Sequence, residues 1–460
     1  MTTEEKKALA ATDGEQATWW LTDAPVWKAI AHMAVPMVLG MIAMSIYNFT
    51  DMLFVGMLDD TAALAAITLC TPVLSLMIAA STFLEVGLGS FLARAVGAGD
   101  LAASKNASAF GCVGAVVLGL LIAVGVLCFL DPLLGLLGAT GEAAQPTRQF
   151  LTVFCLGAPF GILNMVAGQM VRAIAKSKEA SAGIIASSVI NIVLDPVLIF
   201  GCGLGIQGAA LATVVSNAAA ACYFLFVIAR SDVLSCNPAH ARLPLSQVAD
   251  IAKVGFSGMI MGLLMGVASL VFNNVAMAYG AAVVAAFGIA QSVVQLLEVV
   301  TMGLYEGVVP LMGGAWGAGN RARLKEVAGK TFVCIAVFCT VSGAAVIAAS
   351  STIVGAFSDD VQVHEVGSLI LVAQTLAVGF ASTSGLVTGM FQACGKGLPA
   401  SVLATLRGFA FVPIILGGSL LFGLAGVIWG LLAAEVVAFA VAVVLLTVTF
   451  GRTARTNAPA

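Results

Sequence analysis

The chain alternates long apolar stretches with short polar breaks. Apolar runs lie near 27–57, 61–92, 104–130, 146–171, 180–201, 207–229, 248–279, 281–314, 329–351, 363–391, 398–422 and 424–450. A helix needs about 20 such residues to cross a bilayer, so the pattern predicts twelve transmembrane helices. Glycine and proline inside the runs are ordinary in lipid-embedded helices. The polar breaks differ in sign. Those after every second span hold Arg94 and Lys105; Arg172, Lys176 and Lys178; Arg230 and Arg242; and Arg321, Arg323, Lys325 and Lys330. Lys396, Arg407, Arg452 and Arg455 fall on the same side, with Lys6, Lys7, Lys28 and Lys253. The opposite breaks hold Asp59, Asp60, Asp131, Glu142, Asp359, Asp360 and Glu365, with Arg148 their one basic residue. Basic loops stay cytoplasmic, so both termini are expected inside.

Composition agrees. Of 460 residues, 60% are apolar and 9% charged, against roughly 25% charged in a soluble domain. Twenty basic and 23 acidic residues cannot coat a globule of this size, so the chain reads as an all-α polytopic membrane protein. The net charge of −3 and the lack of a basic block exclude a nucleic-acid partner. Ten cysteines are scattered without a CxxC pair and read as small packing residues rather than metal ligands. No cofactor is implied. Residues 1–24 are polar and lack the short apolar core of a signal peptide; they read as a cytoplasmic tail, as do 451–460.

An internal repeat divides what lies between. Ala95-Val96-Gly97-Ala98-Gly99-Asp100 recurs as Ala315-Trp316-Gly317-Ala318-Gly319-Asn320. Ala62–Ile67 recurs as Ala282–Phe287, and Arg172–Lys176 as Gln392–Lys396, each 220 positions on. Six spans per half is an even number, so the halves keep one orientation: parallel repeats about an axis along the membrane normal, with a path for substrate between them. The expected units are an N-lobe at 25–230, a polar cytoplasmic linker at 231–247 and a C-lobe at 248–450.

Ionisable residues inside spans are costly and mark functional sites by default. Asp51 lies in the first span, with Tyr47 and Asn48 a turn earlier. The fifth span places Asn191 and Asp195 four apart, hence on one face, and Pro196 strips a hydrogen bond from the carbonyl of Ile192. The sixth adds Thr213, with Ser216 and Asn217. Counted from the nearest outer break, Asp51, Asp195 and Thr213 lie ~12, ~10 and ~9 Å deep. Oxygen ligands from three helices thus share one level of one lobe, suited to a small hard cation such as Na+ or to a shared proton. The alternative is structural: Asn191 and Asp195 capping a proline-distorted backbone, Asp51 ending its helix. Two carboxylates of like charge are a poor device for stability alone.

The second half lacks this set, with Val271, Phe411 and Ile415 at the matching positions. Its acids Glu298, Glu306 and Glu435 stand elsewhere, and with Glu85 they either line a cavity for organic cations or pack near helix ends. Met37, Met41 and Met44, with Met33, form a stripe beside Pro36 in the first span, and Met259, Met261 and Met265 occupy the seventh. Adaptable side chains of this kind suit a promiscuous apolar chamber or a plain core.

Val35-Pro36-Met37, the run Tyr47–Gly56 and the run Asn191–Gly201 with its Asn-x-x-x-Asp-Pro core resemble the multidrug and toxic compound extrusion (MATE) transporters, and fit the DinF-like branch best. The resemblance implies export of amphipathic, often cationic compounds by alternating access, driven by inward H+ or Na+. It further implies a first-lobe cation site at Asp51, Asn191, Asp195 and Thr213, a related polar position at Asn164, and hinges at Pro36 and Pro196. The expected partners are a small organic substrate and the lipid bilayer of the plasma membrane, with no protein partner. A flippase for lipid-linked oligosaccharide or lipid II would need a cationic cavity, whereas the basic residues fall almost wholly in inner loops. A membrane enzyme would need a nucleophile–base set, yet the chain has only His32, His240 and His364 and neither HExxH nor GxSxG. A passive channel would not need an acidic pair confined to one lobe.

Overall fold

A computed structural model of the chain describes residues 12–58, 61–358 and 360–456. Lys6, Lys7, Asp59, Asp60 and Asp359, used above for topology and depth, lie outside the described residues, as do the side chains of Arg452 and Arg455. The elements are α1 (Asp13–Thr22), α2 (Val26–Gly56), α3 (Thr61–Gly97), α4 (Leu101–Cys128), α5 (Leu130–Leu136), α6 (Ala144–Leu156), α7 (Ala158–Ala173), α8 (Ser177–Pro196), α9 (Ile206–Ala229), α10 (Leu245–Met277), α11 (Ala281–Gly317), α12 (Arg321–Ala348), α13 (Ser350–Phe357), α14 (Val361–Ala393) and α15 (Gly397–Thr456).

Ten of these helices are long and apolar enough to cross a membrane. One further span is the pair α6–α7, bent by 49°; Pro159 follows the break and has no N–H to offer the carbonyl of Cys155. Another comes from α15, where Gly423 leaves helical geometry (φ 61°, ψ −140°) and reverses the chain. Gly418 and Gly426 then lie backbone to backbone across the hairpin, an approach that a Cβ would block. Twelve spans result, at the expected places.

The two copies of the repeat have a local physical meaning. Gly99 (φ 75°) ends α3 and Gly319 (φ 72°) ends α11 in the left-handed conformation that glycine adopts without strain. The next residue caps the following helix: Asp100 accepts from Ala103 N–H, and Asn320 from Arg323 N–H, both at 2.9 Å. At the third pair, Gly395 has φ 71° but its counterpart Ala175 has φ 62°, the one non-glycine in that region among the described residues.

Helices α2–α9 form one lobe and α10–α15 the other. The lobes meet along two related seams. A Cβ on Gly307 of α11 would lie 2.8 Å from the Ala34 Cα of α2, and one on Gly303 2.7 Å from that of Val38. In the mirrored seam Gly87 of α3 abuts the Ile251 carbonyl of α10, and Gly255 that of Phe83. Gly97 and Gly317 complete the contact, facing Gly314 and Arg94. Further along α10 and α11, Gly262, Gly266 and Gly288 have nothing within 4 Å. The close glycine contacts between the lobes therefore concentrate toward the end that carries the linker.

A free tail was expected at 1–24, and within it residues 12–24 are docked. Thr12 and Glu15 close a capping box on α1, and Leu21 is fully buried against Gly314. Arg323 of the C-lobe donates to the carbonyls of Ala24, Leu21 and Trp20 at 2.6, 2.9 and 3.1 Å, satisfying acceptors that a helix end leaves unpaired. On the other side, Asp13 pairs with Lys176 at 2.6 Å, the Gly14 N–H donates to Asp232, and Trp20 stacks on His32 with centroids 3.9 Å apart. The helix straddles both lobes. The linker is equally fixed: Val233 and Leu234 are buried, and the Ser235 N–H donates to Ser108 Oγ at 2.9 Å.

Candidate functional site

Asp51, Asn191, Asp195 and Thr213 come together inside the N-lobe, on α2, α8 and α9. Asn191 and Asp195 are buried, at 1% and 0% exposure. The carboxyl groups of Asp51 and Asp195 are close enough to interact. Asn191 serves both neighbours: with its amide turned the favourable way, nitrogen donates to Asp195 Oδ2 at 2.9 Å and oxygen accepts from Thr213 N–H at 3.3 Å. The opposite orientation leaves only a 3.5 Å contact from Nδ2 to the Thr213 hydroxyl. That hydroxyl donates to the Ala209 carbonyl at 3.1 Å, with the phenol of Tyr47 nearby. One oxygen of each acid, Asp51 Oδ1 and Asp195 Oδ1, is buried without a partner.

Proline shapes the backbone here. Pro196 closes α8, and the chain runs on as a π-turn over Val197–Gly201. Gly208 of α9 presses against that turn, where a Cβ would sit 2.7–2.8 Å from the backbone of Leu198 and Ile199. Wide turns of this type recur at functional sites. Pro36 lies inside an unbroken α2.

The other expected positions scatter. Asn164 donates to Asn217 at 2.8 Å, tying α7 to α9. Met37 and Met41 are buried and Met44 is exposed, while Met261 is half-buried and Met265 exposed, so the stripe is divided between core and surface. Asn48 is exposed. In the C-lobe, the positions matching the acid site are filled by packing: Phe411 lies against Phe272, which meets Phe287 edge-on at 4.7 Å, and Ile415 is fully buried.

Two arginines need correction. Arg172 and Arg407, assigned above to cytoplasmic loops, are interior. The Arg172 side chain, 7% exposed, reaches Glu85 at 3.6 Å and Glu306 at 3.7 Å, hydrogen-bonds to Gln169, and donates to Met37 Sδ at 3.1 Å. Arg407 binds Glu435 at 3.0 Å across the last hairpin, with Glu298 and Tyr305 nearby. Arg407 stands ten residues inside an apolar run, a position that itself signals a buried pair; for Arg172 the available signal was Gln169, three residues back on the same face.

Comparison with known proteins settles the family. The MatE family model matches residues 36–197 and again 258–417, once per lobe. The chain belongs to the MatE family. This MATE protein is 36% identical over 422 residues to the multidrug export protein MepA of Staphylococcus aureus strain NCTC 8325 / PS 47, covering 92% of this chain and 93% of that one. Identity to MepA of Staphylococcus haemolyticus strain JCSC1435 is also 36%, over 424 residues, with 92% and 94% covered. Similar solved structures are a MATE in complex with MaL6 (TM-score 0.89, 25% identity, 96% and 99% covered) and an outward-facing multidrug resistance MATE transporter of the MOP superfamily (0.84, 25%, full coverage of both).

Proposed function

We propose that this MATE protein is a secondary antiporter that exports amphipathic, cationic organic compounds in exchange for an inward coupling ion, H+ or Na+, across the plasma membrane. Its linker end, with both termini, faces the cytoplasm. The observation that carries the reading is the acid pair Asp51–Asp195, enclosed in one lobe and lacking a basic partner. Two like charges at that spacing in an apolar surround repel and lose hydration; a proton held between them, or a sodium ion held with the help of Asn191 and Thr213, removes both penalties. Loading the site changes the packing of α2 against α8, and α2 carries the Ala34–Val38 seam with the C-lobe. Ion binding and lobe contact thus share one helix, the physical link that alternating access needs. An ion moves that balance only by binding one state better.

The interior chemistry speaks against a lipid-pyrophosphate flippase. Around Arg172 and Arg407 stand Glu85, Glu306, Glu298 and Glu435, four acids to two bases, the wrong sign for a polyanion. The test is uphill export of ethidium in proteoliposomes with pH and sodium gradients imposed separately. Wild type moves ethidium against its gradient with at least one of them, and Asp51→Asn and Asp195→Asn do not. Full gradient-driven export by both variants refutes the site.

A further inference from the structure

We infer that Arg172 is a built-in displacer of cationic substrate: it occupies Glu85 and Glu306 when the lobes are closed at the linker end and yields Glu306 to an organic cation when the lobes part. The inference rests on the export reading above and adds the place where the substrate's positive charge is held and the device that ejects it.

Three features support it. The cluster is unbalanced, with two carboxylates to one guanidinium. It is also loosely made. The ion-pair contacts of 3.6 and 3.7 Å exceed the ~2.7–2.9 Å of a close charge-assisted hydrogen bond; one nitrogen, Nη2, serves Gln169 and both acids; and Arg172 Nε is buried without a partner. Finally, the two sides differ in access. The arginine is 7% exposed, while the Glu85 and Glu306 side chains are 22% and 26% exposed. The two carboxylate side chains are therefore more accessible to a guest than the guanidinium that pairs with them.

The acids come from different lobes. Glu85 and Arg172 belong to the N-lobe, and Glu306 stands beside Gly307 at the seam. Separation of the lobes takes Glu306 away from Arg172, leaving Glu85 in a one-to-one pair and Glu306 free to receive a cation. Return to the closed seam brings the guanidinium back as a competitor at both carboxylates, and the guest leaves. Affinity is thus higher facing the side of uptake and lower facing the side of release, the difference between states that directional transport requires.

The test uses the full-length protein, ethidium as the singly charged probe and a neutral naphthylamine dye of similar size as control. Arg172→Gln tightens ethidium binding by about tenfold, the scale of one hydrogen bond to a charged group, and slows ethidium release into the outer medium. Arg172→Lys falls between it and wild type, and the neutral dye is unaffected. Unchanged or weakened ethidium binding in Arg172→Gln, or an equal shift for the neutral dye, overturns the proposal. Should Arg172→Gln fail to fold, Glu306→Gln decides: it weakens ethidium binding about tenfold and spares the neutral dye, and equal affinity to wild type overturns the proposal. Asp51→Asn, which blocks uphill export but keeps ethidium binding, separates failure of ion coupling from failure of the displacer. A wild-type protein that does not bind ethidium refutes both.

Discussion

A single methyl group at the seam should change how the lobes meet. Gly307→Ala places a Cβ 2.8 Å from the Cα of Ala34 and 3.1 Å from the carbonyl oxygen of Met33. Carbon atoms rest at about 3.5–4.0 Å, so the two backbones must separate by roughly 0.7–1.2 Å. The neighbouring atoms are backbone and cannot swing aside, and overpacking of this kind costs about 1–3 kcal/mol. That cost falls only on the state in which α11 touches α2. At ~1.4 kcal/mol per factor of ten, the population of that state should fall by about 5–150-fold relative to the state with the lobes parted. Distance distributions between spin labels on the linker ends of α4 and α12 would report it directly. Gly262→Ala, in α10 and with no atom within 4 Å of the added Cβ, serves as control. If both variants give the wild-type distribution, or both shift alike, the seam does not set the balance and the reasoning fails.

Arg323→Ala leaves three carbonyls at the end of α1 without their donor and should cost about 2–4 kcal/mol of docking; hydrogen exchange over Asp13–Thr22 should accelerate by at least about tenfold, and unchanged protection would count against the clasp. Ala175→Gly removes left-handed strain worth roughly 1 kcal/mol and should raise the thermal midpoint in detergent. Tyr47→Phe deletes the phenol near Thr213 and should weaken the driving ion by about fivefold in proteoliposome export, a loss of ~1 kcal/mol, leaving the protein folded. Asn164→Ala and Asn217→Ala should be non-additive in a double-mutant cycle by about 0.5–1.5 kcal/mol; full additivity would show that their 2.8 Å contact carries no energy.

The spans and the repeat were legible because lipid imposes length and hydrophobicity directly on sequence. The final hairpin is an instance: the reading divided 398–422 from 424–450, and the break falls at Gly423. The acid site was legible for a related reason, since residues four apart on a helix share a face whatever the tertiary context, and depth follows from a fixed rise. What escaped depends on meetings between distant segments. Arg172 and Arg407 were counted as loop charges because their partners, Glu85 and Glu306 for one and Glu435 for the other, are set by packing and not by spacing. The docked α1 was read as a tail because ten polar-leaning residues cannot announce that Arg323, some 300 positions later, will close over their last turn. The methionine stripe has helical spacing, yet spacing alone does not say whether a face meets a neighbour, lipid or the cleft.

The distance in sequence between Arg323 and Leu21, 302 residues, sets a timetable for biogenesis. At a synthesis rate of about 5–20 residues per second, the first helix waits roughly 15–60 s before the guanidinium that fastens it leaves the ribosome. During that interval the leading half can insert and fold, but its opening segment stays undocked. Fastening therefore reports that the trailing half has arrived and seated correctly, and a chain stalled or misassembled downstream would present this segment, with its two tryptophans, to proteases and chaperones.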